Sequence, residues 1–126
     1  MIFNTTYLLI LTMLFLTGIL YSQDSDFKIS DDTMDLQLDK KAHFTTSFGL
    51  YYFFYTSLTI LSDTLPYPQL DAMLLSTSIC LLFEVYQGTS LSNADGFSKE
   101  DFYYNIMGIG FARFTHEVFL YFKDLI

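Results

Sequence analysis

Apolar residues in this chain come in four long blocks, and the polar residues collect at the ends of the blocks rather than alternating within them. A pattern without a two-residue period predicts helices, not strands. The first block, Ile2 to Tyr21, is about twenty residues long, enough to cross a bilayer or to serve as a secretory signal. The ending Leu20-Tyr21-Ser22-Gln23 offers a small residue at a cleavage point and favours the signal. The absence of Lys or Arg ahead of the apolar core favours a retained anchor. A second helix is expected over residues 39–62, apolar nearly all round from Phe44 onward and uncharged after Lys41. Such a helix belongs in the core of a large protein or in a membrane. A chain of 126 residues is too short for the first.

Asp63-Thr-Leu-Pro-Tyr-Pro68 closes that helix and opens a third over residues 68–88, with Pro68 at a first helical position. So short a connection makes the two helices antiparallel neighbours. Thr77, Cys80, Glu84 and Gln87 mark one narrow polar stripe on it, of the kind that lets membrane helices approach and hydrogen-bond. A polar loop from Gly88 to Phe97 leads to Ser98, an N-cap with Asp101 in the capping-box position. The last helix, 98–123, carries Asp101, Asn105, Gly108, Ala112 and His116 along one side, with Gly108 and Gly110 read as close-packing residues. Arg113 and Glu117 form an i,i+4 pair in its middle, where a charge facing lipid costs about 2.5 to 3.5 kcal/mol. An ion pair between them, or an interfacial position, lowers that cost. The expected fold is all-α: a small antiparallel membrane bundle of three helices plus the N-terminal apolar segment, as a signal peptide or a fourth transmembrane helix. The chain divides into a leader or anchor (1–22), an acidic linker (23–37) and a helical domain (38–126).

Composition strengthens the membrane reading, since 52% hydrophobic with 19% aromatic exceeds what a soluble domain of this length needs. A net charge of −8 excludes the basic stripe that nucleic acid requires. Much of the acidity lies in the linker, at Asp24, Asp26, Asp31, Asp32 and Asp35, which lacks the glycine and terminal glutamate of a calcium loop and reads as a poorly ordered arm. Cys80 is the sole cysteine and reads as a small packing residue. Lys28, Lys40 and Lys41 fall on the side expected to be extracytoplasmic, against the positive-inside rule, so charge does not orient the chain.

Chemistry collects at one level. An up-and-down order brings Asp39, Lys40 and His43 to the end where Glu84, Gln87, Asp101 and Asn105 lie. These seven are the candidate binding residues, and His43, Glu84 and Asp101 the candidate catalytic ones. His43 with Glu84 has the composition of a general acid–base pair, oriented by Asp39 or Asn105. Imidazole and carboxylates also suit zinc, manganese or magnesium, but without HExxH or paired-histidine spacing the sequence assigns no metal and no cofactor. The third reading is a polar network that locks three helices together, with or without a bound headgroup. Asp39 and Asp101 also read as charges complementing helix N-termini. His116 shares the Asn105 stripe but lies roughly 16 Å below, at ~1.5 Å per residue.

Asp39-Lys40-x-x-His43-Phe44, Glu84-x-x-Gln87 and Asp101-x-x-x-Asn105-x-x-Gly108, in that order, resemble the VanZ-like family of small bacterial membrane proteins, named for a teicoplanin-resistance protein. Gly96-Phe97-Ser98-x-x-Asp101-x-x-x-Asn105 is similar to the YfiM-like periplasmic lipoproteins. The resemblance covers Asp39 to about Gly110. It implies a cell-envelope protein with its polar cluster on the extracytoplasmic side, membrane lipid as a partner and an envelope lipid or glycopeptide as a ligand. It transfers no reaction. The chain departs from the lipoproteins in having no cysteine after the first apolar block, and from VanZ-like proteins in having no arginine in the loop before Ser98.

Overall fold

The computed structural model describes residues 10–18, 26–30, 38–61, 65–92 and 96–125. Among them the regular elements are four helices: α1 (residues 10–18), α2 (Leu38–Leu61), α3 (Pro68–Gly88) and α4 (Lys99–Lys123). The expected cleavage point at Ser22 lies outside the described residues, as do Asp24, Asp31, Asp32 and Asp35 of the linker.

Local chemistry explains where the helices begin and stop. Pro68 occupies the first turn of α3, where its missing N–H costs nothing. That helix ends at Gly88, after which the Thr89 amide and hydroxyl both turn back onto the Tyr86 carbonyl. Ser98 caps α4 by accepting a 3.0 Å hydrogen bond from the Asp101 amide, and Lys123 complements the dipole at the other end.

Lys40 in the first turn of α2 meets Asp101 in the first turn of α4, so these two helices run parallel. Glu84, in the last turns of α3, reaches the same level, so α3 runs antiparallel to both. The most extensive packing is between α2 and α4. Their crossing is made at Gly108, where any Cβ would overlap the Ser47 hydroxyl and the Phe44 carbonyl. Gly110 does not share this role: it is exposed, and a Cβ there would meet nothing.

Asp101, Asn105, Gly108, Ala112 and His116 are all buried, forming the expected inner stripe of α4. On α3 the buried line is Ala72, Ser76, Cys80, Glu84 and Gly88, four apart, while Thr77 and Gln87 of the expected stripe are only half-buried. Four-residue ridges are inclined to the helix axis, so this line follows neighbours that cross at an angle. On α2 it is Lys40, Ser47 and Tyr51 that turn inward.

Outward, the bundle presents an apolar belt that includes Phe53, Ile60 and Leu61 on α2 and Phe111, Phe114, Phe119 and Phe122 on α4. Among the described residues only α3 is both long and apolar enough to cross a membrane. The hydroxyls of Tyr51, Tyr52, Tyr55, Thr56 and Thr59 lower the hydropathy of α2, and Arg113, Glu117 and the charges at its ends lower that of α4. Arg113 and Glu117 do pair across one turn, on a partly exposed face of α4. In α1, Ile10 and Thr17 are buried, whereas Leu11, Leu14, Phe15 and Leu16 are exposed.

Residues 26–30, expected to belong to a loose arm, are held against the α3–α4 connection. The Lys28 amide donates to the Gly88 carbonyl (2.8 Å), the Phe97 amide to the Lys28 carbonyl (2.8 Å) and the Ser30 amide to the Phe97 carbonyl (2.9 Å). An isolated parallel bridge, Ile29 with Phe97, results. Glycine is required at Gly96, which has φ 124° against the Lys28 backbone, while at Gly88 the Phe27 ring fills the space a side chain would take and would have to move aside.

Candidate functional site

Five side chains from three helices converge at the end of the bundle next to this arm. Lys40, only 1% exposed, places Nζ 2.5 Å from Asp101 Oδ1, a charge-assisted hydrogen bond. The His43 ring stands between two carboxylates, with Nδ1 3.6 Å from Glu84 Oε1 and Nε2 3.5 Å from Asp101 Oδ2. Asn105 Nδ2 donates to Glu84 Oε1 at 3.2 Å. Glu84 is fully buried, and its Oε2 has no hydrogen-bond partner among the described residues. His43 is the member of the group that stays partly exposed, at 20%.

The helices decide these positions. Glu84 lies on the small-residue line of α3, one turn before Gly88, so it arrives on the face turned toward α2 and α4. Asp101 and Asn105 are one turn apart at the head of the α4 stripe. Lys40 and His43 are three apart on α2 and face the same side. His43, Glu84, Asp101 and Asn105 thus meet as the sequence pattern implied. The other candidates separate. Asp39 is half exposed, and its Oδ2 lies 3.5 Å from Lys40 Nζ, at the rim. Gln87 is half-buried and makes none of the cluster's hydrogen bonds or ion pairs described above. Asp101 occupies the capping-box position, yet its carboxylate is taken by Lys40 and His43 across the interface, not by the Ser98 amide of its own helix.

Beside the cluster lies a pocket of about 400 Å³ between α2 and α3. His43 and Asn105 form its polar side, and Leu50, Ile79, Cys80 and Phe83 its apolar walls. A second pocket of about 440 Å³ opens on the opposite flank of Lys40, between Phe44, Tyr104 and Met107.

Sequence reasoning missed a second polar assembly lower in the bundle. Tyr51, fully buried, shares a 3.0 Å hydrogen bond with His116 Nδ1. The Tyr55 ring meets the imidazole edge to face at 4.2 Å, and Tyr52 OH bonds Thr115 Oγ1 at 3.0 Å. Tyr51 lies about one turn beyond Ser47 on the inward face of α2, which was the available signal. Asp71 was missed too. In the first turn of α3 it looks like a dipole-complementing surface charge, but it is 2% exposed, with Oδ1 lacking a hydrogen-bond partner among the described residues.

Compared with known proteins, the chain matches no family model, no curated protein and no solved structure.

Proposed function

We propose that this is a small membrane protein of the bacterial cell envelope whose polar cluster receives the headgroup of an amphiphilic envelope molecule, a lipid or lipid-linked glycopeptide. The observation that carries this reading is the pocket beside the cluster. It joins a polar end, His43 and Asn105, to walls of Leu50, Ile79 and Phe83, and so matches a molecule with a polar head and an apolar tail. The exposed aromatic belt supports placement in or against a bilayer, because a soluble monomer rarely exposes so large an apolar surface. Glu117 and Arg113 then lie about 9 and about 15 Å from the end of α4, and the long Arg113 side chain extends toward the lipid–water interface. The resemblance to VanZ-like and YfiM-like proteins is part of the same proposal and supplies the extracytoplasmic side for the cluster.

The test is lipid retention. The full chain purified in a mild detergent should carry envelope lipid detectable by native mass spectrometry. Ile79→Trp, which fills the pocket and leaves the cluster intact, should lose it while keeping its helicity. A wild-type protein that carries no lipid, or that is released from membranes by a carbonate wash, would overturn the reading. Mass spectrometry of the same sample decides whether the mature chain starts at Gln23.

A second reading, acid–base chemistry on an envelope substrate, rests on one observation. His43 stands between two carboxylates and is also the partly exposed member of the cluster, so it is the group a substrate would reach first.

A further inference from the structure

We infer that His43, Glu84 and Asp101 form a binding site for a divalent cation of the zinc and manganese class. This does not rest on the amphiphile reading and concerns the cluster alone.

One ligating atom from each of the three residues can be chosen so that all lie within 4.8 Å of one another. The histidine nitrogens sit 3.6 Å from a Glu84 oxygen and 3.5 Å from an Asp101 oxygen, too far for hydrogen bonds of ordinary length, 2.7 to 3.2 Å. The two distances run from opposite ring nitrogens and an ion takes only one of them, so the three ligand atoms, within 4.8 Å of one another, close inward to reach the roughly 3.4 Å edge of a tetrahedron whose metal–ligand bonds are about 2.1 Å. The three groups are close enough for one ion to gather them, while the imidazole makes no hydrogen bond of ordinary length to either carboxylate.

Each carboxylate is also steadied by a neighbouring side chain. Asp101 Oδ1 is held by Lys40 Nζ, which leaves Oδ2 toward His43. Glu84 Oε1, the oxygen nearest His43, is held by Asn105 Nδ2, and Oε2 is buried without a hydrogen-bond partner among the described residues. Outer partners that fix ligand orientation in this way are the usual companions of a metal site. The Ser98 amide also faces this carboxylate, and the one oxygen on it without a hydrogen bond of ordinary geometry leaves a place for an electropositive partner.

Charge leads to the same place. With His43 neutral and all three carboxylates Asp39, Glu84 and Asp101 ionised, Lys40 offsets one of them, and two negative charges remain for a divalent ion to match. One imidazole with two carboxylates suits Zn2+ or Mn2+ better than the all-oxygen shell that Mg2+ and Ca2+ prefer. His43 opens on the pocket between α2 and α3, which provides access for the ion and room for a water on it. Cys80, one turn before Glu84, lines that pocket and is the competing soft ligand.

The experiment uses the full chain in detergent, with any affinity tag removed, stripped by a chelator and titrated with Zn2+ alone. The expected result is one Zn2+ per chain by calorimetry, with an X-ray absorption spectrum showing one imidazole and oxygen donors without sulfur. His43→Gln, Glu84→Gln and Asp101→Asn should each weaken binding at least tenfold, and Asn105→Ala, which touches only an orienting partner, by about 10- to 100-fold. Circular dichroism reports whether each variant has folded. If a variant fails to fold, the wild-type stoichiometry and spectrum still decide. No stoichiometric uptake of Zn2+ or Mn2+ by the wild type would overturn the inference and assign the excess charge to bound protons. A sulfur neighbour in the spectrum, or wild-type affinity in folded His43→Gln, would overturn it as well.

Discussion

The chain has two histidines, and the same three-helix frame gives them opposite surroundings. His43, near the top of α2, lies among ionisable groups: two carboxylates at 3.5 and 3.6 Å, with Lys40 behind one of them, and an opening to a pocket. His116, lower on α4, is 5% exposed and its direct contacts are neutral, a tyrosine hydroxyl at 3.0 Å and the Tyr55 ring at 4.2 Å, with the charges of the Arg113–Glu117 pair nearby and opposed to each other. The upper site holds charges whose balance an incoming ion or headgroup can change. The lower one is satisfied by its own helices and works as a pin between α2 and α4. Buried charge is costly and buried neutral hydrogen bonds are cheap, so the two layers should respond to substitution on different scales.

The largest effect is expected at Lys40. Lys40→Met keeps the volume and leaves Asp101 without its buried partner, a loss of about 3 to 5 kcal/mol that thermal or denaturant unfolding in detergent will register. A loss under about 1 kcal/mol would show that the upper layer is solvated and erase the contrast between the layers.

Next is the crossing between them. Gly108→Ala forces α2 and α4 apart at Ser47 and Phe44, and should cost about 1 to 3 kcal/mol. Gly110→Ala, two residues on with open space around it, should instead stabilise by up to about 1 kcal/mol through helix propensity. Equal effects at the two glycines would contradict the close approach.

A smaller effect is expected from coupling within the upper layer. His43→Ala and Glu84→Ala should each lower the melting temperature, and His43→Leu with Glu84→Met should recover part of it, giving an interaction energy of about 0.5 to 3 kcal/mol in a double-mutant cycle. Strict additivity would mean that the two side chains do not share a network. Single variants that keep full stability and lose a cell-envelope phenotype would favour the ligand or acid–base readings over a structural lock.

The smallest effect belongs to the lower layer. Tyr51→Phe removes one neutral hydrogen bond to His116 and should cost about 0.5 to 1.5 kcal/mol by the same unfolding measurement. A loss as large as that of Lys40→Met would make the His116 assembly a second charged site rather than a pin.

The one-dimensional pattern of this chain determined α2, α3 and α4 almost to the residue. Pro68, Ser98 and the apolar blocks act through neighbours in the sequence, and propensity and capping are local. It also determined the α4 inner stripe and the meeting of His43, Glu84, Asp101 and Asn105, because short connections between three helices leave little choice about which ends adjoin.

What it could not determine is which of two adjacent residues turns inward. Asp39 and Lys40 differ by about 100° around the helix, and only the position of Asp101 on a neighbouring helix selected Lys40. The same holds for Gly108 over Gly110, for the four-residue line on α3 in place of Thr77 and Gln87, and for the return of residues 26–30 to Gly88 and Phe97. Each depends on how helices cross and where a backbone from elsewhere in the chain arrives. These are contacts between residues far apart in sequence, and no local preference encodes them.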